Sequence, residues 1–318
     1  MDFQSIRRKL VGPMETVPTV FDSNNKLDLA QTADVIHFMV ERGIRNGSGF
    51  LLVGGAVGQF AALTTDERKD LAEACVKAAD GRVPVIVSCQ TTCTDHSIDL
   101  AKHAVAVGAD AIQLSPPHYY FSPQLSQDDV IQYFDDVARE ADIAIVAYHN
   151  WWSSVGIAPR TLERMADEIP NLVGVKWRGR DDYETYLGYK LCANKLSMIE
   201  NALHLTLTSP HQLGARAFVT YIGIFWPEYD LELWRLLETK DYARASEMLL
   251  SLAVPLYELA ATKVRGEHSN VMSELRRLAG FPGWTPRRPT RLLPPDASKE
   301  LEELLARAGA PLRKGATT

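Results

Sequence analysis

The sequence has few cysteines, no long apolar run and no excess of positive charge. Four cysteines in 318 residues are too few for a disulfide framework. No apolar run approaches the roughly 18 residues that a membrane helix needs, and no apolar signal segment follows the basic N-terminal residues. With a net charge of −6, the chain lacks the positive surface that nucleic acid requires. These absences predict a cytoplasmic protein that binds neither membrane nor nucleic acid.

The cysteines also give little support for a metal site. Cys89, Cys93 and His96 form a C-x3-C-x2-H cluster, but a zinc site would need a fourth ligand in a closed geometry. A buried thiol at a strand end and a second thiol in the next loop explain the same spacing. We therefore predict no metal and no cofactor.

Short apolar runs rich in β-branched residues recur about every 25 to 30 residues, and most are continuous, as strands buried on both faces must be. These predicted strands are Thr16–Phe21, Phe50–Val53, Val83–Ser88, Ala111–Ser115, Ile143–Tyr148, Leu172–Trp177, Leu196–Ile199 and Ala217–Ile222. Segments with helical spacing lie between them, among them Leu29–Arg42, Thr65–Ala79, Ser97–Val107, Ser126–Ala138, Pro159–Glu168 and Ala202–Leu213. Strands that alternate with helices indicate a parallel sheet, and eight such strands predict a closed (β/α)8 barrel.

The strand signal ends near Pro227, and helical patterning follows. We predict a catalytic barrel domain over residues 1–226, a helical extension over 227–310 and a disordered tail over 311–318. The proline-rich connector Pro282–Pro295 contains Arg287, Arg288 and Arg291, which we expect to be solvated.

In barrel enzymes the active site lies at the C-terminal ends of the strands, and Lys176 stands at one of these ends. A buried ammonium is costly, so burial lowers the pKa of a lysine and favours the neutral amine. A neutral amine can attack a carbonyl and form a Schiff base. Alternatively, Lys176 extends into solvent or pairs with Glu200.

Two more strand-end elements point to chemistry. Tyr148 ends the neighbouring strand, where a phenol can shuttle protons or merely cap the barrel core. The loop Gly54–Gly58 contains three glycines in five residues, which lets backbone N–H groups approach an anion. It has neither the P-loop ending nor the G-x-G-x-x-G pattern, so it fits a small carboxylate better than a nucleotide.

Several short motifs follow one another in an order and spacing that resemble the dihydrodipicolinate synthase and N-acetylneuraminate lyase superfamily, over about residues 12 to 295. They are the loop Gly55-Ala56-Val57-Gly58-Gln59, the segment Pro116-Pro117-His118-Tyr119-Tyr120, Tyr148 with His149-Asn150, the strand end Gly174-Val175-Lys176, and the segment Gly214–Thr220 with Pro227 after it. The resemblance implies a class I Schiff-base aldolase fold and mechanism.

The resemblance also implies roles and an assembly. Lys176 would attack a pyruvate-derived 2-oxo acid, Tyr148 would move protons, and Tyr119 or Tyr120 would reach into the site of a neighbouring subunit. The expected assembly is a homotetramer built as a dimer of dimers. Candidate substrate contacts are Gly55, Ala56, Val57, Arg178, His204, Thr220 and Trp151.

The chain departs from the family in the glycine loop. Ala56 and Val57 replace two threonines, so the backbone donors remain while both hydroxyls are lost. Gln59 replaces the family glutamate. Any hydroxyl group that acts on the substrate would therefore have to come from another part of the site.

Other departures argue against two branches of the family. The arginine that binds the dicarboxylate product in the synthase branch is missing, because Trp151-Trp152-Ser153-Ser154 follows the Tyr148 motif. The acidic pair of the sialic acid lyases would fall near Leu203-His204-Leu205.

Two features are particular to this chain. Strand alternation places Arg178 on the same side as Lys176, where it binds either a polar group of the substrate or Glu200. Trp151 and Trp152 indicate an apolar or aromatic substrate part, or else they cover a subunit contact. Aldol cleavage or condensation, and dehydration or decarboxylation through the same enamine, both remain open.

Two further classes of function compete with the lyase. The lost threonines are compatible with a family member that only binds a metabolite, although Lys176 and Tyr148 are not needed for barrel packing. A metal-dependent barrel enzyme would need clustered ligands at the strand ends, and His118, His149 and His204 do not form a convincing set.

Overall fold

The computed structural model describes residues 2–117, 125–202, 206–264 and 268–313. Eight parallel strands close into one barrel in chain order, with the last strand paired to the first. The strands are β1 Gly12–Thr16, β2 Phe50–Val53, β3 Val85–Ser88, β4 Ala111–Leu114, β5 Ala144–Tyr148, β6 Leu172–Trp177, β7 Ser197–Glu200 and β8 Ala215–Thr220. The prediction of a (β/α)8 barrel is confirmed.

One helix precedes the barrel and one follows each strand. Helix α1, Phe3–Lys9, which the sequence pattern did not predict, places Ile6 against the apolar cluster inside the barrel. The eight helices after the strands are α2 Leu29–Glu41, α3 Thr65–Ala79, α4 Thr94–Val107, α5 Gln127–Glu140, α6 Pro159–Glu168, α7 Asp182–Cys192, α8 Thr208–Gln212 and α9 Pro227–Glu238. Side chains that cap helix N-termini include Thr64 and Ser126, each in a reciprocal capping box.

The first strand lies four residues earlier than predicted, at Gly12–Thr16 instead of Thr16–Phe21. A strand that contains a proline and a glutamate does not match an apolar pattern. Glu15 is nevertheless fully buried beside Asp230 of α9, on the outer side of the barrel wall. The polar position in this strand is therefore explained by a partner more than 200 residues away in the chain.

Helix α9 belongs with the barrel. Its Trp234 ring lies 6.2 Å from the ring of Phe218 on β8, and its Asp230 accepts a hydrogen bond from Thr220. We therefore propose a domain boundary after Glu238 rather than after residue 226.

The C-terminal extension is helical, as predicted. It comprises α10 Tyr242–Met248, α11 Val254–Lys263, α12 Ser269–Leu278 and α13 Pro295–Arg307, with the π-helical turn Leu249–Ala253 between α10 and α11. At the start of the predicted disordered tail, the Arg313 N–H donates to the Leu278 carbonyl at 3.1 Å. Residues 314–318 lie outside the described residues.

Strand alternation decides which side chains reach the barrel mouth. Successive side chains of a strand point to opposite faces. Val146 of β5 and Ile199 of β7 belong to the cluster inside the barrel, so Tyr148 and Asn201 point to the same inner side. Tyr148 pairs in register with Lys176, and Lys176 pairs with Ile199. These residues meet at the C-terminal end of the barrel.

Candidate active site

Lys176 is buried in the wall of the barrel mouth, with 6% of its surface exposed. Burial lowers the pKa of its amine to about 7, so a large fraction is neutral at physiological pH. Glu200 belongs to the outer side of the wall, level with Trp177 rather than with Lys176. This arrangement supports a nucleophilic amine over a lysine paired with Glu200.

Tyr148 lies directly against this amine. The Lys176 Nζ is 4.1 Å from the centroid of the Tyr148 ring. Burial raises the pKa of Tyr148 to about 12, and hydrogen bonding from Asn201 opposes that rise. A neutral phenol beside a neutral amine can donate and recover a proton during reactions at a carbonyl.

The glycine loop after β2 forms the facing wall. Gly54 has a φ of +65°, and a Cβ on Gly58 would lie 3.0 Å from the Val17 carbonyl oxygen, so both positions favour glycine. Ala56 and Val57 line the cavity. Neither the Ala56 N–H nor the Val57 N–H donates to a backbone carbonyl among the described residues. These two donors are available to a carboxylate.

The connector after α12 holds this loop in place. Gln59 at the loop end accepts a hydrogen bond from the Arg287 N–H at 3.2 Å and donates to Thr290 at 3.2 Å. The Arg287 guanidinium binds both carboxylate oxygens of Glu67, at 2.7 and 2.8 Å. The expectation that Arg287 is solvated was wrong, because only 13% of its side chain is exposed.

Arg178 lines the cavity on the same side as Lys176, as alternation predicted, while Trp177 points outward and donates from Nε1 to Thr185 of α7. Arg178 donates to Thr206 Oγ1 at 3.1 Å, and Thr206 donates to Glu200 Oε1 at 3.2 Å. Thr206 therefore relays a connection between Arg178 and Glu200.

The two tryptophans form part of the cavity rim. Trp151 donates from Nε1 to the Arg178 carbonyl at 3.2 Å, which fixes its ring. Trp152 is 51% exposed and packs edge-on to Tyr148, with ring centroids 6.0 Å apart. Both rings line the same cavity as Lys176.

Four predicted site residues lie elsewhere or cannot be placed. Thr220 points outward to Asp230 at 3.0 Å, whereas its neighbour Val219 lines the cavity, so the placement of Thr220 does not support substrate contact. Tyr119 and His204 lie outside the described residues. Gly55 is buried under the loop, where a Cβ would lie 2.9 Å from Leu52.

Besides Trp152 and the apolar residues Leu52, Ala202 and Val219, four cavity residues were not among the predicted site residues. Thr16 and Asn201 enter from β1 and from the loop after β7. Tyr257 of α11 and His268 before α12 enter from the C-terminal extension, and His268 Nδ1 lies 2.9 Å from the Tyr221 hydroxyl. The extension therefore contributes to a cavity of about 660 Å³, which lies in the range of small-molecule sites.

The described ranges contain no group of three or more His, Cys, Asp or Glu side chains placed to hold a metal ion. The predicted C-x3-C-x2-H cluster is not assembled as ligands, since His96 Nε2 lies 2.9 Å from the Thr65 hydroxyl and Cys93 is exposed. Within the same part of the chain, none of the helices is long and apolar enough to cross a membrane.

Comparison with known proteins places these features in a family. The model of the Dihydrodipicolinate synthetase family matches residues 9–308. The Escherichia coli protein YjhH, named "Probable 2-dehydro-3-deoxy-D-pentonate aldolase", is 27% identical over 249 residues, or 76% of this chain and 79% of YjhH. The 4-hydroxy-tetrahydrodipicolinate synthase of Bacillus subtilis is 33% identical over 177 residues, or 55% of this chain and 56% of that enzyme.

A solved structure supports the fold. The crystal structure of YagE from E. coli K12, in complex with pyruvate, has a TM-score of 0.85 to this chain at 23% identity. The match covers 94% of this chain and 99% of YagE.

Proposed function

This chain belongs to the Dihydrodipicolinate synthetase family, and we propose on that premise that it is a lyase that forms a Schiff base between Lys176 and a pyruvate-derived 2-oxo acid. Its relatives include 4-hydroxy-tetrahydrodipicolinate synthases and proteins named as aldolases of 2-dehydro-3-deoxy-D-pentonate and 2-dehydro-3-deoxy-D-gluconate. The observation that carries the proposal is the buried Lys176 amine, with a pKa lowered to about 7, facing a cavity beside Tyr148.

The reaction begins at C2 of the substrate. The neutral Lys176 amine adds to the 2-oxo carbon, and one of its protons passes to the former carbonyl oxygen. That hydroxyl takes a second proton from Tyr148 and leaves as water. The products of this step are a cationic iminium on Lys176 and a Tyr148 phenolate.

Cleavage follows from the same two groups. The Tyr148 phenolate takes the proton of the C4 hydroxyl, the C3–C4 bond breaks, and its electron pair moves to C3 as the iminium becomes an enamine. The aldehyde leaves. Tyr148 then protonates C3, and water hydrolyses the restored iminium to give pyruvate and the free Lys176 amine, with a proton returned to Tyr148.

The substrate carboxylate would bind the glycine loop. Ala56 and Val57 line the cavity, and their N–H groups would supply two donors without a side-chain hydroxyl. Their loop follows β2, which stands across an eight-stranded barrel from β6 and Lys176. The substrate would therefore lie across the barrel mouth, with its carboxylate towards β2 and its reacting C2 atom towards Lys176 on β6.

The other end of the substrate would be larger than pyruvate. Trp151, Trp152 and Tyr257 add aromatic surface to the outer part of the cavity, and Arg178 adds a cation. These groups fit a bulky, planar or apolar substituent that also carries a polar atom. Dehydration or decarboxylation through the same enamine is the alternative, and it would use the same first step.

The test is covalent trapping. We expect pyruvate plus borohydride to add one reduced pyruvate to Lys176, detected by intact mass and peptide mapping. A panel of larger 2-oxo acids, analysed for released aldehyde, water loss or carbon dioxide, assigns the reaction. If the Lys176→Ala variant is labelled as well as the wild type, or if the wild type is never labelled, the proposal fails.

We also propose that the chain assembles as a homotetramer, with Tyr119 or Tyr120 completing a neighbouring site. The family includes at least one monomeric variant, so assembly is a property to be measured. Light scattering at micromolar concentration should report four copies, and a monomer would refute the claim.

A further inference from the structure

We propose that Arg178 binds a second carboxylate group on the substrate, and that Thr206 is the positioning residue that holds the Arg178 guanidinium for it. This inference rests on the proposed lyase function and makes its substrate class more specific. The substrate would be a 2-oxo acid whose part beyond C4 ends in a second carboxylate.

The backbone and the side chain of Arg178 are held by separate contacts. Arg178 is the first residue after β6, and its carbonyl accepts a hydrogen bond from Trp151 Nε1 at 3.2 Å. Its Nη1 atom donates to Thr206 Oγ1 at 3.1 Å. The first contact fixes the chain at the end of the strand, and the second fixes the direction of the guanidinium at the cavity wall.

Thr206 is itself oriented by a buried carboxylate. Its hydroxyl group donates to Glu200 Oε1 at 3.2 Å, and the Ala202 N–H donates to the same oxygen at 2.7 Å. Glu200 is only 1% exposed, so its side chain is fixed in the barrel wall. Because an ionised carboxylate can only accept, the Thr206 hydrogen is directed to Glu200, and the Thr206 oxygen is left to accept from Arg178.

The contact with Thr206 leaves one edge of the guanidinium open. The Nε and Nη2 atoms of Arg178 bond to none of the described residues, and both atoms keep accessible surface. Within the described part of the chain, Arg178 also forms no ion pair. The N–H groups on this edge are parallel, and such a fork binds both oxygens of a carboxylate.

The substrate is the source of the missing anion. Arg178 lines the cavity, so a substrate that fills the cavity displaces water from the open edge of the guanidinium. A desolvated charge without a partner is strongly unfavourable, whereas a bidentate carboxylate compensates for the lost water. The first carboxylate of the substrate would lie across the barrel at the glycine loop. Arg178 is therefore left for a group at the other end of the molecule.

Two matched pairs of substrates isolate the effect of this charge. Each pair consists of aldol adducts of pyruvate with two aldehydes of similar shape, one ending in a carboxylate and the other in a methyl group. The aldehydes are succinic semialdehyde with butanal, and 4-carboxybenzaldehyde with 4-methylbenzaldehyde. The measured selectivity is the ratio of kcat/KM for the carboxylate adduct to kcat/KM for its methyl partner.

We expect the wild type to prefer the carboxylate adduct by about 30-fold or more in at least one pair, the scale of a desolvated charge pair. Arg178→Ala should abolish this preference. Thr206→Val should lower the selectivity about tenfold, mainly through KM, because the guanidinium loses the acceptor that orients it. Thr206→Ser keeps the hydroxyl group and should retain the selectivity of the wild type.

A double-mutant cycle distinguishes positioning from general damage. In the Arg178→Ala background, Thr206→Val should cause no further change in selectivity, because Thr206 acts through the guanidinium. The matched control is Thr239→Val, at the exposed C-terminal end of α9, where the hydroxyl group bonds the carbonyls of Arg235 and Leu236. This control should keep the selectivity of the wild type.

Four outcomes would overturn the proposal. A wild type without the carboxylate preference in either pair, or one that pyruvate labels but that cleaves none of the four adducts, would refute the second carboxylate. Unchanged selectivity in Thr206→Val, or losses that add in the double variant, would refute the positioning role. A wild type that pyruvate and borohydride never label would instead refute the lyase itself, so the two failures are distinguishable.

Discussion

Replacing Lys176 with methionine should abolish catalysis and stabilise the fold. The pKa of the lysine falls from 10.5 to about 7 on burial. A shift of this size means that burial disfavours the charged amine over the neutral amine by about 5 kcal/mol. At pH 7 about 4 kcal/mol of this cost lowers the free energy of unfolding, because the unfolded chain keeps the lysine charged. The Tyr148 ring, 4.1 Å from Nζ, stabilises the charged form by up to about 2 kcal/mol through a cation–π interaction. We therefore expect a gain of about 2 to 4 kcal/mol for the Lys176→Met variant.

The sign of the pH dependence makes this prediction specific. Between the folded pKa near 7 and the unfolded value of 10.5, the unfolded chain binds more protons than the folded one. The stability of the wild type therefore rises with pH in this window, by up to about 1.4 kcal/mol per pH unit. The advantage of the Lys176→Met variant should shrink by about 2 kcal/mol between pH 7.5 and pH 9.

Urea titrations at four pH values across that window measure the difference in unfolding free energy. Lys195→Met is the matched control, because Lys195 binds Asp167 at the surface and its pKa is raised rather than lowered. The control variant should not be stabilised. A Lys176→Met variant that is less stable than the wild type, or a gap that does not change with pH, would refute the view that the amine is buried at a cost.

The remaining predictions concern activity and the buried carboxylates. Below about pH 7, kcat/KM should fall about tenfold per pH unit as the Lys176 amine is protonated, and a flat profile to pH 5 would contradict the lowered pKa. Tyr148→Phe should fold normally by circular dichroism yet lose at least about 100-fold in turnover, whereas an unchanged rate would assign the proton transfer to another group. Arg178→Ala should cost on the order of 2 to 5 kcal/mol in kcat/KM for the true substrate and leave pyruvate trapping intact, and equal damage to both would assign it to the scaffold. Burial, followed by the charge of Asp230, raises the pKa of Glu15 well above its usual value, so its stabilising contribution is full below pH 4.5 and declines as pH rises through the raised value. In thermal melts Glu15→Gln should remove that decline and raise the Tm at neutral pH, and an unchanged pH dependence would count against the buried pair.

The elements of the barrel differ, for physical reasons, in how closely the sequence predicts their bounds. Strand β6 was predicted at its observed bounds because a short, mainly apolar run is typical of a strand that is buried on both faces of a parallel sheet. Strand β1 was misplaced because it buries Glu15 beside the distant Asp230, a contact that no local pattern reveals. Thr220 shows the same limit, since a motif match gives a position along the strand but not the side from which the side chain projects.

Some residues of the candidate site could likewise be identified from the sequence, and others could not. Lys176 and Tyr148 could be found from the sequence because both end strands, and barrel active sites lie at strand ends. Asn201 also follows a strand, but its hydrogen bond to Tyr148 depends on side-chain packing that the sequence does not show. Tyr257 and His268 had no sequence signal, since helices of the extension are not expected at the barrel mouth.

The sequence by itself determined the alternation of strands and helices, the family resemblance and the reactive pair at the strand ends, because these depend on local periodicity and on short motifs. Only the tertiary structure decided which polar residues converge. Arg287 reaches the glycine loop from the C-terminal connector, and Asn201 meets Tyr148 across the strand of Lys176. Such contacts join residues far apart in the chain, and they exist only once barrel closure has brought every strand end to a common mouth.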